Sequence, residues 1–352
     1  MSQVAEKLVG GIPLFVGIER AELEGFMRLF QPVSFDTGAR IRRQGRPADS
    51  AFMIESGNAE VVTALPGGGE AMVASLGPGS LLGEMALLES GKCSATVIAR
   101  TPVSGYVIER EGFRMLLAQR DRAAFLIQQR ITRALCQRLR ELNARIVSSD
   151  TPESAAPPLA GQTADPAGIV RGRCSFDYRA FLPALPVFGR FTPGELEDFT
   201  RRTEVMELER GRILFQQGDP CAAAYVTVRG ALEILHAANG QRQRIGILGP
   251  GRLCGILALI EGHPHSMSAA ARERTVLLEL PRAAFDALFT GRDPAAARFQ
   301  DAINRELLQA LARTNNHLTR LISQARIRSS RKEKKQAEEL GRALGEQDCR
   351  AA

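Results

Sequence analysis

Seven short runs in the first third of the chain carry apolar residues between polar ones and are bounded by Gly, Pro, Asn or Asp. They are Val33–Phe35, Arg40–Arg42, Ala51–Ile54, Ala59–Leu65, Ala71–Leu76, Ser94–Ala99 and Ser104–Ile108. Alternation over so few residues predicts strands, and turns at this spacing predict an antiparallel sandwich or jelly roll. Pro66-Gly67-Gly68-Gly69 lies between two of the runs and reads as a hairpin turn. Residues 1–30 predict helix broken at Pro13, with Leu14, Phe15, Ile18, Leu23, Phe26 and Leu29 available for one face. From Glu111 the period becomes helical. Phe113, Leu116 and Leu117 open the pattern, and Ile127, Ile131, Leu135, Leu139, Leu142 and Ile146 then recur every three or four residues. That stripe, within a helix of about 123–146, fits packing on its own domain or a homodimer seam.

Residues 148–168 hold no Lys or Arg and are rich in Ser, Pro and Ala. Little there can be buried, which predicts a flexible linker. The pattern then starts again. Phe15, Leu23 and Phe26 recur as Phe188, Leu196 and Phe199, Gln44-Gly45 recurs as Gln217-Gly218, and Gly57 recurs as Gly230, all at one constant offset. After the hairpin the offset is shorter by one, as between Phe113 and Phe285. Ile303, Leu307, Leu311, Leu318 and Ile322 form a second helical stripe. The expected organisation is a first domain at 1–147, a linker at 148–180, a second domain at 181–325 and a charged tail at 326–352.

The best-kept part of the repeat is Leu76-Gly77-Pro78-Gly79-Ser80-Leu81-Leu82-Gly83-Glu84-Met85-Ala86-Leu87-Leu88-Glu89. Its counterpart runs from Leu248 to Glu261, and Ser94-Ala95-Thr96-Val97 follows the first copy. This stretch resembles the phosphate-binding cassette of cyclic nucleotide-binding domains, the jelly rolls of catabolite activator protein and of protein kinase A regulatory subunits. The resemblance implies a mainly β fold of two tandem antiparallel jelly rolls, each flanked by helices and followed by a long one. It also implies that the cassette Glu bonds a ribose 2′-hydroxyl and that an Arg after the turn pairs with the cyclic phosphate. In the first copy Gly83, Glu84, Met85 and Ala86 match, Cys93 stands at the Arg position, and Ser94, Ala95 and Thr96 follow. In the second, Gly255 is kept, Ile256 stands for the Glu before Leu257, and His265 with Ser266 stands at the Arg position. The second cassette is therefore expected to be degenerate, and the first to bind weakly because two charge-assisted bonds are missing.

Composition narrows the remaining choices. The chain has 352 residues, enough for two cores, with 44% hydrophobic and 24% charged residues. No apolar run is long enough to cross a bilayer, and the N-terminus lacks a secretory pattern. Six cysteines without paired spacing read as free thiols in a reducing cytoplasm. The net charge is +7, yet acids interrupt the basic tail at Glu333, Glu338, Glu339 and Glu346, which argues against a nucleic-acid arm. No nucleophile or metal motif is present, so neither an enzyme nor a metal cofactor is expected. Three readings remain. The first is a cytoplasmic signalling protein that senses cAMP, cGMP or a nucleoside in its first domain and passes the signal to a protein partner. The second is a ligand-independent interaction scaffold. The third is a DNA-binding regulator, weakened by the lack of a helix-turn-helix after either domain.

Overall fold

The computed structural model describes residues 12, 14–64, 70–149, 169–174, 176–238 and 241–348, with the backbone alone at 20, 148–149, 238, 241–242 and 322–348. Helix α1 (Arg20–Met27) precedes strands β1 (Gln31–Phe35), β2 (Arg40–Arg42), β3 (Pro47–Ala48), β4 (Ser50–Ser56), β5 (Ala59–Ala64), β6 (Glu70–Leu76) and β7 (Leu81–Leu82). The short cassette helix α2 (Met85–Leu88), β8 (Gly91–Lys92), β9 (Thr96–Ala99) and β10 (Val103–Glu109) complete the first jelly roll. Its sheets have the orders β1-β10-β4-β7 and β2-β9-β5-β6, antiparallel throughout, with β3 and β8 as a small ribbon. Helices α3 (Arg110–Ala118) and α4 (Arg122–Ser149) follow.

The second domain repeats the plan after β11 (Ile169–Arg171) and α5 (Pro193–Arg201). Its strands are β12 (Glu204–Leu208), β13 (Ile213–Phe215), β14 (Ala223–Arg229), β15 (Leu232–Ala238), β16 (Gln241–Leu248), β17 (Leu253–Cys254), β18 (Ser268–Ala271) and β19 (Thr275–Pro281). Helices α6 (Ile256–Glu261), α7 (Arg282–Thr290) and α8 (Pro294–Asp348) complete it. The sheet orders β12-β19-β14-β17 and β13-β18-β15-β16 match those of the first domain strand for strand. The two tandem antiparallel jelly rolls expected from the pattern are thus the observed fold.

Two expectations need correction. The described end of the expected linker is built into the second domain: β11 adds an edge strand beside β12, and Leu182 in the turn of 3-10 helix at Arg179–Ala184 is 1% exposed. Residues 150–168 lie outside the described residues, as do 1–11 and the hairpin at Pro66–Gly69. The expected tail carries the backbone of α8 on to Asp348, while its side chains, Ile322 among them, lie outside the described residues.

The homodimer seam through helix 123–146 also needs correction. The stripe is buried within one chain: Ile127 and Ile131 are fully buried and Leu135 and Leu139 nearly so. They join Ile303 and Leu307 of α8 in one core that runs through both domains. Each such side chain contributes about 1.5–3 kcal/mol on burial, so the clasp is strong. At its centre Thr132 Oγ1 lies 2.7 Å from Asn304 Oδ1, both residues being buried. These two positions are equivalent in the repeat, 172 residues apart. The seam exists, but it joins the two repeats of one chain rather than two chains.

Candidate functional site

The backbone around the two cassettes is the same. Gly83 and Gly255 have φ of +75° and +82°, which only glycine adopts without strain. A Cβ on either would come within 2.9 Å of a β-strand carbonyl, that of Ser50 in the first domain and of Ala223 in the second. Beyond the cassette helix, Cys93 N donates to Arg46 O at 2.8 Å and Gly45 N to Cys93 O at 2.9 Å; His265 N donates to Asp219 O at 2.9 Å and Gly218 N to His265 O at 2.8 Å. Gln44 and Gln217 brace both turns. Their backbone N–H groups donate to Thr96 Oγ1 at 3.1 Å and Ser268 Oγ at 2.9 Å. Their side-chain oxygens accept from Ala64 and Ala237 N–H, each at 2.9 Å. The Thr96 hydroxyl, buried and engaged in this brace, serves the fold.

The first cassette opens to solvent. Glu84 caps α2 without a side-chain capping bond, is half-buried, and its side chain has no hydrogen-bond or ion-pair partner among the described residues. Its carboxylate is a free acceptor. Met85 is half-buried and Ala86 buried beneath it. Cys93 and Ala95 are half-buried and Ser94 is exposed; among the described residues the Cys93 thiol reaches only Pro47 O, at 3.9 Å. On the neighbouring edge strand, Met72 and Val73 are 65% and 63% exposed. Pattern reading did not single out Arg42. Its Nη2 donates to Ser50 Oγ at 2.7 Å and to Ser50 O at 3.1 Å, beside the Gly83 turn.

The second cassette is covered. Ile256 is 2% exposed. It lines a cavity of about 260 Å³ with Phe215, Ile234, Leu253 and Met267, and Gly255, Leu257, His265 and Ser266 lie in the same wall. Leu139 and Ile146 from α4 and Leu307 from α8 form the cover. The His265 ring lies flat on Phe215, centroids 3.6 Å apart and planes 8° apart. Burial pushes its pKa down to about 4, against a smaller upward pull from Asp219. The imidazole is therefore neutral at pH 7 and carries no charge for a phosphate. At the rim, Glu306 takes Arg252 at 2.7 Å and Arg313 at 3.1 Å, and burial raises its pKa to about 7 in spite of Arg252. The lining is mostly apolar, and its Glu306 and Arg313 are already paired with each other, so neither stands free as the family's Glu and Arg would.

Each cassette helix is tied to the other domain. Glu89 closes the first, and both its oxygens receive Arg190, at 3.0 and 3.1 Å. Glu261, its counterpart in the repeat, receives Arg140 of α4, with Nε at 2.9 Å. No described helix is long and apolar enough to cross a membrane.

Comparison with known proteins agrees with the repeat. The cyclic nucleotide-binding domain family matches residues 32–120 and 205–292, together half of the chain. The CRP-like cAMP-activated global transcriptional regulator of Mycobacterium tuberculosis is 26% identical over 157 residues, 44% of this chain and 68% of that protein. The cAMP-dependent protein kinase regulatory subunit of Mycosarcoma maydis is 23% identical over 279 residues, 76% of this chain and 43% of that protein. The acetyltransferase Pat of Mycolicibacterium smegmatis is 31% identical over 134 residues, 37% of this chain and 40% of that protein. The chain thus spans less than half the length of the latter two. Among solved structures, the regulatory domain of Toxoplasma gondii PKA with cAMP aligns with a TM-score of 0.32 at 17% identity, covering 81% of this chain and 90% of that one.

Proposed function

The chain belongs to the cyclic nucleotide-binding domain family, and from that premise we propose that it is a cytoplasmic regulatory protein whose first cassette receives a ribose-bearing ligand, a nucleoside or a cyclic nucleotide. The observation that carries this reading is Glu84: a half-buried carboxylate on an intact glycine turn, with no partner among the described residues and an open approach. A ribose diol donates to such a carboxylate, and the bond is charge-assisted. The relatives named for cAMP support a ligand of this class. Free thiols at the five described cysteines support a reducing compartment.

The second domain acts as the responding body rather than a second receptor. Ile256 and neutral His265 leave a ribose and a phosphate unpaired, and an unpaired polar group costs free energy on burial. The message would travel by the Glu89–Arg190 pair and by α4, which starts in the first domain and covers the second cavity. A protein partner would then read the relation of the two domains.

Calorimetric titration of the full chain with adenosine, cAMP and cGMP tests the reading. Binding should appear with a stoichiometry of one and weaken about tenfold or more in Glu84→Ala, with an unchanged melting temperature because the Glu84 side chain pairs with none of the described residues. Absence of binding by all three would leave the interaction scaffold as the better account.

A further inference from the structure

We infer that Arg42, on strand β2, supplies the phosphate-binding guanidinium that the first cassette lacks at Cys93. The inference rests on the reading of that cassette as a ribose site and names the part of the ligand that the site would otherwise leave unread.

The repeat locates the side chain. Arg42 and Phe215 are equivalent, at the same offset as Gln44 and Gln217, and their strands share a bulged register: Arg40 and Arg42 face Ile98 and Val97, while Ile213 and Phe215 face Ala270 and Ala269. In the second domain Phe215 lines the ligand cavity and lies flat on His265. His265 is the counterpart of Cys93, and the same pair of backbone bonds holds both. Position 42 therefore neighbours position 93 across the space where a ligand sits. What fills that position follows the character of each cassette, an aromatic ring in the covered apolar one and a guanidinium in the open one.

The guanidinium is anchored and uncommitted. Nη2 is held by Ser50, whose carbonyl is the group that Gly83 packs against. Among the described residues Nη1 and Nε have no partner and no carboxylate pairs with Arg42; Asp49, with Oδ1 3.3 Å from Ser50 Oγ, makes no ion pair with it. A half-buried guanidinium without a counter-ion is held at a cost that an anion would relieve. Its planar donors suit the oxygens of a phosphate better than a point charge would. With Glu84 on the ribose and Arg42 on the phosphate, both parts of a cyclic nucleotide have a partner.

The test compares cAMP with adenosine on the full-length protein, by calorimetry and melting curves, in wild type, Arg42→Gln, Arg42→Lys and Glu84→Ala. Wild type should bind cAMP more tightly than adenosine, and the advantage should shrink as salt rises. Arg42→Gln should weaken cAMP about tenfold or more and leave adenosine unchanged. Arg42→Lys, which keeps the charge without the fork, should fall between and serves if the glutamine variant does not fold. Equal losses for both ligands, or none for cAMP, would overturn the inference and leave Arg42 as a brace for Ser50. Adenosine binding that ignores Glu84→Ala would instead overturn the ribose reading, and a wild type that binds neither ligand would overturn both.

Discussion

In the first cassette Glu84 stands unpaired beside an edge strand whose Met72 and Val73 are largely exposed. In the second, Ile256 lies under Leu139, Ile146 and Leu307, and the edge strand's Ile245 lines a covered cavity. The strands, turns and braces of the two are the same. The difference comes from the helices. The far half of α4 leaves the domain it follows in sequence and, with α8, covers its neighbour's cavity. In a duplicated fold the sheet fixes where a ligand could sit, and the helices decide which copy remains accessible.

The hardest blow to this comparison would fall on the clasp. Leu135→Lys puts an unpaired charge into a position only 2% exposed. It should cost about 4 kcal/mol or more in denaturant unfolding. A well-folded Leu135→Lys protein would mean that α4 does not pack on α8 as described, and the covered second cassette would lose its explanation.

The next test restores the family's pair to the covered cassette. Ile256→Glu with His265→Arg should gain no cAMP affinity and should lower stability by about 3 kcal/mol, because both positions are buried and the new charges would be stripped of water there. Cys93→Arg in the open cassette should cost little stability and raise cAMP affinity about tenfold, with adenosine unaffected. Equal gains in both copies would show that the cover is no barrier.

A pH series separates the copies more gently. The depressed pKa of His265 means that the unfolded chain binds its proton more readily than the folded one. Its contribution to stability is therefore present above about pH 6.5 and lost as pH falls toward 4. His265→Phe should retain on the order of 2 kcal/mol more stability than wild type at pH 4–5, relative to the difference at pH 8, in melting curves after allowance for partial solvation. Glu306 acts with the opposite sign. Its raised pKa lets the folded state hold the extra proton, so its contribution is present at acid pH and lost as pH rises from about 4.5 to about 7. The His265 effect is accordingly read as the difference between variant and wild type. Parallel pH curves for the two would show that the imidazole is not buried as neutral.

The smallest expected effect is the one the copies share. Thr96→Ala and Ser268→Ala each remove the oxygen that a Gln backbone N–H uses, and each should cost about 1 kcal/mol in chemical denaturation. A cost in one copy only would show that the two cradles are not equivalent.

The architecture was open to pattern reading because it is written locally and twice. Strand alternation, the glycines at 57, 83, 230 and 255, and a constant offset each follow from backbone rules that act over a few residues. The cassette residues were visible for the same reason, as were the losses at Ile256 and His265. The helical stripe at 127–146 was also visible, but its partner was not. An apolar stripe states that something must cover it and says nothing of what, and here the cover comes from Ile303 and Leu307, in the other repeat. Arg42 was not visible as part of the site because it lies in a strand far along the chain from the cassette, and only the folded structure brings it to Ser50 beside the Gly83 turn. By itself the sequence determined the elements, the duplication and the chemistry at each cassette, since these depend on side-chain identity and short-range geometry. Tertiary structure alone decided which cassette is open and which cation stands beside it, because both depend on packing between segments that no local period connects.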